Sequence, residues 1–472
     1  DERRDSDGAW DPAGQFYFSY YYSLGIYYAT FVGLPGTQTQ VARFFDLATN
    51  NALQATSGSF FSPLGYTNDW IQNRGSVVTT AVSYGANIDF YADVAPRATA
   101  VIIDASAGSA HIVDQPAVSG PPVAAQVYDL YSGGPLYVAG NGATRVVIGS
   151  GALLDGSPLD MPNQDSVQQL LSASLTLFNT PQILHDILAD VDVSNSSLVL
   201  EDRPGALPGD EFEGNVVLTS DTLTGMTGGA IHFQTLTSLQ VVFSQAGADV
   251  QVQDTPAGIT TTLDFLAAPA TAGNSSVSIQ ATTGALLVLG VETADLGADG
   301  SLQNLHGAVT VYGDNNADLV IDDSADPAAR QAALTGPDAD NLVVSHVEGP
   351  DFPLASFPLS FNAYTLTGLA PALLQFNSPF YSSSEIHIGP STSLNVGVNL
   401  LNMKVFGAGP ASAVSLGVTS QWQQSALEVI GAGQGYIADP AFAFSVPIVF
   451  VDDPSRPKDP FKLTLDVASG LN

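Results

Sequence analysis

From about residue 76 onward, short apolar runs alternate with polar residues and end at Gly, Asn, Asp or Pro. Ser76-Val77-Val78-Thr79-Thr80-Ala81-Val82, Ala308-Val309-Thr310-Val311-Tyr312 and Leu463-Thr464-Leu465-Asp466-Val467 are examples. A period of two sends successive side chains to opposite faces of an extended chain, a pattern no helix satisfies. The expected fold class is therefore all-β, with turn residues separating short strands. Helical spacing is confined to residues 168–177 and 181–188, with a weaker third segment at 327–334.

The chain also echoes itself at long range. Asp114-Gln115-Pro116-Ala117 returns as Asp254-Thr255-Pro256-Ala257. Leu198-Val199-Leu200-Glu201-Asp202 returns as Leu319-Val320-Ile321-Asp322-Asp323, and again as Ile448-Val449-Phe450-Val451-Asp452-Asp453. Thr222-Leu223-Thr224-Gly225 with Phe233 returns as Thr365-Leu366-Thr367-Gly368 with Phe376, the displacement being the same for both parts. The echoes keep a consistent order and similar spacings. A unit of short strands cannot bury its apolar face alone, and stacking copies gives it a continuous core. The expectation is an elongated β-solenoid of about three diverged repeats; tandem β-sandwich domains are the alternative. The expected division is an N-terminal aromatic segment at 1–70, then repeat units at 71–221, 222–360 and 361–472.

Between residues 222 and 345 several phrases recur: Leu223-Thr224-Gly225, Leu239-Gln240-Val241-Val242, Ala246-Gly247-Ala248-Asp249-Val250, Gly284-Ala285-Leu286-Leu287-Val288 and Leu319-Val320-Ile321-Asp322-Asp323-Ser324. This series resembles the diverged Gly/Asn/Asp-rich β-solenoid repeats of large bacterial extracellular and cell-surface proteins. The resemblance implies a secreted or surface-exposed, β-rich protein. Related nonapeptide repeats hold calcium between turns. Here Gly247-Ala248-Asp249 and Asp314-Asn315-Asn316-Ala317-Asp318 lack the successive Gly-Gly-x-Gly-x-Asp register that aligns carboxylates.

Charge narrows the partners. Only 12% of residues are charged, yet 46 are acidic and 12 basic, for a net charge of −34. Phosphate backbones and anionic lipid surfaces need clustered Lys and Arg, so neither nucleic acid nor an anionic membrane is an expected partner. The absence of cysteine excludes disulfides and thiolate metal sites. Acidic, lysine-poor composition (Lys404, Lys458 and Lys462 only) suits secreted proteins and proteins that work in high salt, where self-repulsion is screened, and the expected location is extracellular or the cell surface. A chain starting at Asp1 reads as a processed form or an excised piece. Asn195-Ser196-Ser197 and Asn274-Ser275-Ser276 are glycosylation acceptors by pattern.

Residues 16–34 carry no charge and are long enough to span a bilayer, but they are full of tyrosine hydroxyls that hydrocarbon would leave unpaired. Aromatic residues favour strands, and Gly25 would divide two of them. Phe16, Tyr17, Phe18, Tyr20, Tyr21, Tyr22, Tyr27, Tyr28 and Phe31 are therefore candidate interface residues. They either cap the chain's own core or add to a neighbour's sheet edge.

Carboxylates cluster at Glu201-Asp202, at Asp322-Asp323 with Asp326, and at Asp452-Asp453. Asp322, Asp323 and Asp326 are the candidate calcium ligands; otherwise no cofactor is expected. Recurrence at strand ends favours a structural role, since an active site is normally built once. The six histidines are scattered and show no metal-binding spacing. Gly140-Asn141-Gly142-Ala143-Thr144-Arg145 reads as a corner between strands rather than a phosphate loop. Trp10, Trp70 and Trp422 read as core or interface anchors, with sugar stacking the alternative. No catalytic motif is present, so no enzymatic activity is expected. The expected function is a self-assembling subunit of an extracellular filament, sheath or surface layer, forming a head-to-tail homopolymer without a membrane span. The alternatives are a monomeric adhesin or glycan-binding stalk and a β-helical polysaccharide-degrading enzyme.

Overall fold

The computed structural model describes strand backbone from residue 15 onward, and side chains chiefly within residues 135–149, 189–202, 214–265, 275–336, 363–376, 383–397, 403–416 and 427–434. The fold is all-β, with parallel and antiparallel pairings together. Among the described residues the helical content is little more than a three-residue 3-10 turn, Ala298–Gly300. None of their helices is long and apolar enough to cross a membrane. Residues 168–177 lie outside the described part. The segment 327–334 is not helical: it leads into the strand Gln331–His346, where Ala332 and Leu334 are buried and pair with Leu394 and Val396. Their two-residue spacing, shared with a strand alongside, decides in favour of the sheet.

Two compact units form. The first comprises residues 1–211, 221–244 and 347–355, and the second 212–220, 245–346 and 356–472. Most strands in both pair in parallel with a strand further along the chain. In the first unit Leu136 pairs with Val191, and Val191 with Ile231. In the second, Ile279, Leu296, Ile321, Ile386, Val405 and Val429 form one continuous ladder of side chains at most 1% exposed. Burying each such side chain stabilises by roughly 1.5–3 kcal/mol. This ladder explains the period-two pattern: alternate residues of each short strand point inward.

Paired strands can lie closer in the chain than the sequence echoes do. Leu394 pairs with Val414, and Val414 in its turn with Gly435. Two long strands, Ala285–Leu296 and Val309–Asp322, pair along their two halves with different neighbours. Gly290, at φ 73, lets the first of them bend between Leu289 and Val291, where the register shifts.

The echo of Thr222–Gly225 at Thr365–Gly368 corresponds to a repeated piece of structure. Thr222 and Leu223 pair antiparallel with His232 and Ile231; Thr365 and Leu366 pair the same way with Gln375 and Leu374. Gly225 and Gly368 both take positive φ, at 93 and 84. Phe233 and Phe376 are both buried. The carbonyl of Ala230 accepts from Val191 N–H, as that of Leu373 accepts from Val309 N–H. Each unit thus holds one copy of a hairpin added to a parallel ladder.

Candidate functional site

The strand-end carboxylates prove to be two kinds of group. Asp202 and Asp323 follow equivalent strands, are 4% and 0% exposed, and donate their backbone N–H to carbonyls one turn on, Val242 and His387 respectively. The side chains of Glu201 and Asp452-Asp453 lie outside the described residues. Asp322 is half-buried and its Oδ1 accepts the Ser324 N–H at 2.9 Å, a local turn contact.

Asp323 points inward. Its Oδ1 accepts the Leu302 N–H at 3.1 Å and Gln303 Nε2 at 3.5 Å, while Oδ2 is buried without a hydrogen-bond partner. Burial pushes its carboxyl up to about 6, with Asp326 adding to the rise and Leu302, Gln303 and Arg330 opposing it. Asp326 is buried too, but its Oδ2 accepts Arg330 Nε at 2.8 Å and its Oδ1 accepts the Ala328 N–H at 3.0 Å. Burial would raise its carboxyl; these bonds outweigh that and hold it below the usual range. Arg330 also donates to Gln303 Oε1 at 2.5 Å, so one guanidinium ties the two carboxylates into a network.

Asp322, Asp323 and Asp326 therefore face different partners, and among the described residues no three His, Asp or Glu side chains are grouped to hold a metal ion. The arrangement is that of a buttressed turn. Arg330 was not anticipated, although its i,i+4 spacing from Asp326 is a readable signal.

Gly140–Arg145 forms the corner expected of it, between Leu136–Ala139 and Arg145–Ile148. Asn195, at φ 49, locks it: its Nδ2 donates to Gly140 O at 2.9 Å and Gly142 N–H donates to Asn195 O at 2.7 Å. The amide nitrogen a glycan would need is engaged there, and Ser196 is fully buried. Asn274 lies outside the described residues. His387 stacks on Phe406 with centroids 4.4 Å apart and sits 3.5 Å from Glu385, which also pairs with Lys404. The contacts of His387 with Phe406 and of Glu385 with Lys404 are cross-strand pairs, and the contact between His387 and Glu385 lies along one strand.

Of the aromatic positions near the N-terminus, Phe16, Tyr17, Phe18, Tyr20 and Tyr21 lie on the strand Gln15–Tyr21, and Tyr27, Tyr28 and Phe31 on Ile26–Val32. The two strands pair antiparallel, from Gln15 with Val32 to Tyr21 with Ile26, as a sheet of their own. Tyr22, Trp10 and Trp422 lie outside the described residues.

Among the described residues the first unit carries a groove of about 540 Å³ over the strands Leu136–Ala139, Val191–Ser194 and Ile231–Gln234. Tyr137, Asp192 and His232 occupy one in-register row across those strands. Tyr137 is 39% exposed, which is unusual for a large ring among the described side chains. Asp221, Ser194 and Gln234 add polar groups to the lining. No motif in the sequence announces this row, because its members lie far apart along the chain.

Comparison with known protein families, curated proteins and solved structures finds no match.

Proposed function

We propose that this chain is a β-solenoid subunit of an extracellular or cell-surface assembly, a structural protein that associates with copies of itself. The observation carrying this reading is the in-register parallel pairing of strands one turn apart, with aliphatic ladders inside. A chain coiled in this way places its backbone hydrogen bonds along the stacking direction, so each terminal turn offers a row of N–H and C=O groups. At the C-terminal end the strands Ile448–Val451 and Lys462–Asp466 pair back onto Leu427–Ile430 and Gln434–Ala438. The N-terminal hairpin supplies a sticky complement: an uncharged, aromatic-rich ribbon in a chain otherwise strongly acidic. A terminal turn of one copy meeting the N-terminal ribbon of the next is a heterologous contact, and a heterologous contact that does not close gives a filament. The use of the buried carboxylates as turn supports fits a scaffold better than a catalyst.

The test is removal of residues 1–35. The full chain is expected to sediment as a concentration-dependent series of oligomers and to show filaments or sheets by negative stain. The truncated chain, with its β circular-dichroism spectrum retained, is expected to lose the larger species. Identical oligomers from both would overturn the role of the aromatic segment, and a full chain that stays monomeric at high concentration would overturn the assembly reading.

A further inference from the structure

We propose that the groove over Leu136–Ala139, Val191–Ser194 and Ile231–Gln234 binds an extended, uncharged oligosaccharide, with Tyr137 as the stacking platform and Asp192 and His232 as hydrogen-bonding partners of its hydroxyls. This inference is independent of whether the chain assembles.

Register extends the row beyond the groove. Tyr137 pairs with His111, His111 with Tyr91, and Tyr91 with Trp70. Six consecutive strands of the parallel ladder thus place Trp70, Tyr91, His111, Tyr137, Asp192 and His232 at one aligned position. Neighbouring strands are about 4.8 Å apart, so a ligand lying across the groove meets Tyr137, Asp192 and His232 in turn. An exposed tyrosine followed by an acid and an imidazole suits a chain molecule with flat apolar faces and hydroxylated edges. Sugar rings have that character: C–H faces for aromatic stacking and hydroxyls that both donate and accept. Exposed aromatic surface in a concave site with a few convergent polar groups is the usual make-up of a ligand site.

The internal copy in the second unit serves as a control for the demands of the fold. There Leu286 pairs with Val309 and Val309 with Leu374, the counterparts of Leu136, Val191 and Ile231. The row equivalent to Tyr137, Asp192 and His232 is Leu287, Thr310 and Gln375. The ladder builds equally well with those side chains, so nothing in the backbone requires a tyrosine, an acid and a histidine in the first unit. The buried residue beside the row, by contrast, is phenylalanine in both copies: Phe233 and Phe376.

Charge selects among saccharides. Asp192 and Asp221 line the groove of a chain carrying −34, which repels uronates and sulfates.

The experiment is isothermal titration of the full chain with cellohexaose, laminarihexaose, maltohexaose and chitohexaose, and with hexagalacturonate as the anionic comparison. At least one neutral hexasaccharide is expected to bind, and its trisaccharide to bind more weakly. Tyr137→Ala is expected to weaken that binding about tenfold or more, the loss of one stacking contact. Asp192→Asn is expected to weaken it less, and Leu287→Ala, at the equivalent position of the second unit, to leave it unchanged. Because Tyr137 is an outward residue, the variant keeps its core, and an unchanged thermal melt checks this. Absence of binding to every neutral probe, preference for hexagalacturonate, or wild-type affinity in a folded Tyr137→Ala/Asp192→Asn double variant would each overturn the proposal.

Discussion

Replacing Gly307 by alanine is expected to destabilise the second unit by about 3 kcal/mol or more, at the upper end of overpacking effects because backbone must move. A Cβ at this position would lie 1.9 Å from the carbonyl oxygen of Gly284, one turn away. Neither atom belongs to a flexible side chain. The same corner is tied by buried threonines: Thr282 Oγ1 donates to Gly307 O at 2.9 Å, and Thr255 Oγ1 donates to Gly284 O at 2.7 Å. Forcing the turns apart therefore strains two hydrogen bonds that water cannot replace. Gly214 is the matched control: nothing lies within 4 Å of its added Cβ, and alanine there should be neutral or slightly stabilising. Urea unfolding followed by circular dichroism measures both. A Gly307→Ala midpoint equal to wild type would mean that the corners are not packed as described.

Asp323→Asn is expected to make the protein more stable at pH 7.5 and to lose that advantage as the pH falls toward 4. The folded-state value of Asp323, about 6, lies above its ordinary 3.8. The folded chain therefore binds this proton more tightly than the unfolded chain does. The group's contribution is fully present below about pH 4 and is lost as pH rises through about 6, for a linkage on the order of 2–3 kcal/mol. Burial is the main cause, Asp326 adds to it, and the bonds from Leu302 and Gln303 with the charge of Arg330 offset it. Asparagine keeps an acceptor for the Leu302 N–H and removes the charge. It also brings amide protons to the place of the unpartnered Oδ2, so the gain at pH 7.5 should fall short of the full linkage, at about 1–2 kcal/mol. The measurement is the difference in unfolding free energy between variant and wild type from pH 4 to 8. A difference independent of pH would show that Asp323 does not titrate in the folded state as its surroundings dictate.

Much of this was legible in the residues. Alternation marks strands because burial on a parallel ladder is decided residue by residue: Ser384, Ile386 and Ile388 are buried, and Glu385 and His387, which alternate with them, are not. The echo of Thr222–Gly225 at Thr365–Gly368 persisted because its glycine takes positive φ and its leucine is fully buried in both copies. The short turn period was harder to see. Only a few inward side chains per turn must be apolar, and the displacement is far from constant: Ser276 pairs with Thr293, close by in the chain, whereas Val309 pairs with the distant Leu374. A clear trace of the period does exist. Gly389-Pro390-Ser391-Thr392 and Gly409-Pro410-Ala411-Ser412 stand one turn apart and form the same corner, with Thr392 and Ser412 N–H donating to Gly389 and Gly409. The groove row left no trace, since Tyr137, Asp192 and His232 meet only through register.

The unequal displacements have an evolutionary consequence. Leu136 and Val191 are aligned as closely as Leu394 and Val414, although much more chain separates the first pair than the second. The ladder is indifferent to how much chain departs and returns at a corner, provided the chain re-enters in phase. A parallel ladder of this kind tolerates gain or loss of chain between its strands, while each strand keeps the neighbour it needs. The length of those connections then becomes a heritable variable that changes without renegotiating the interior.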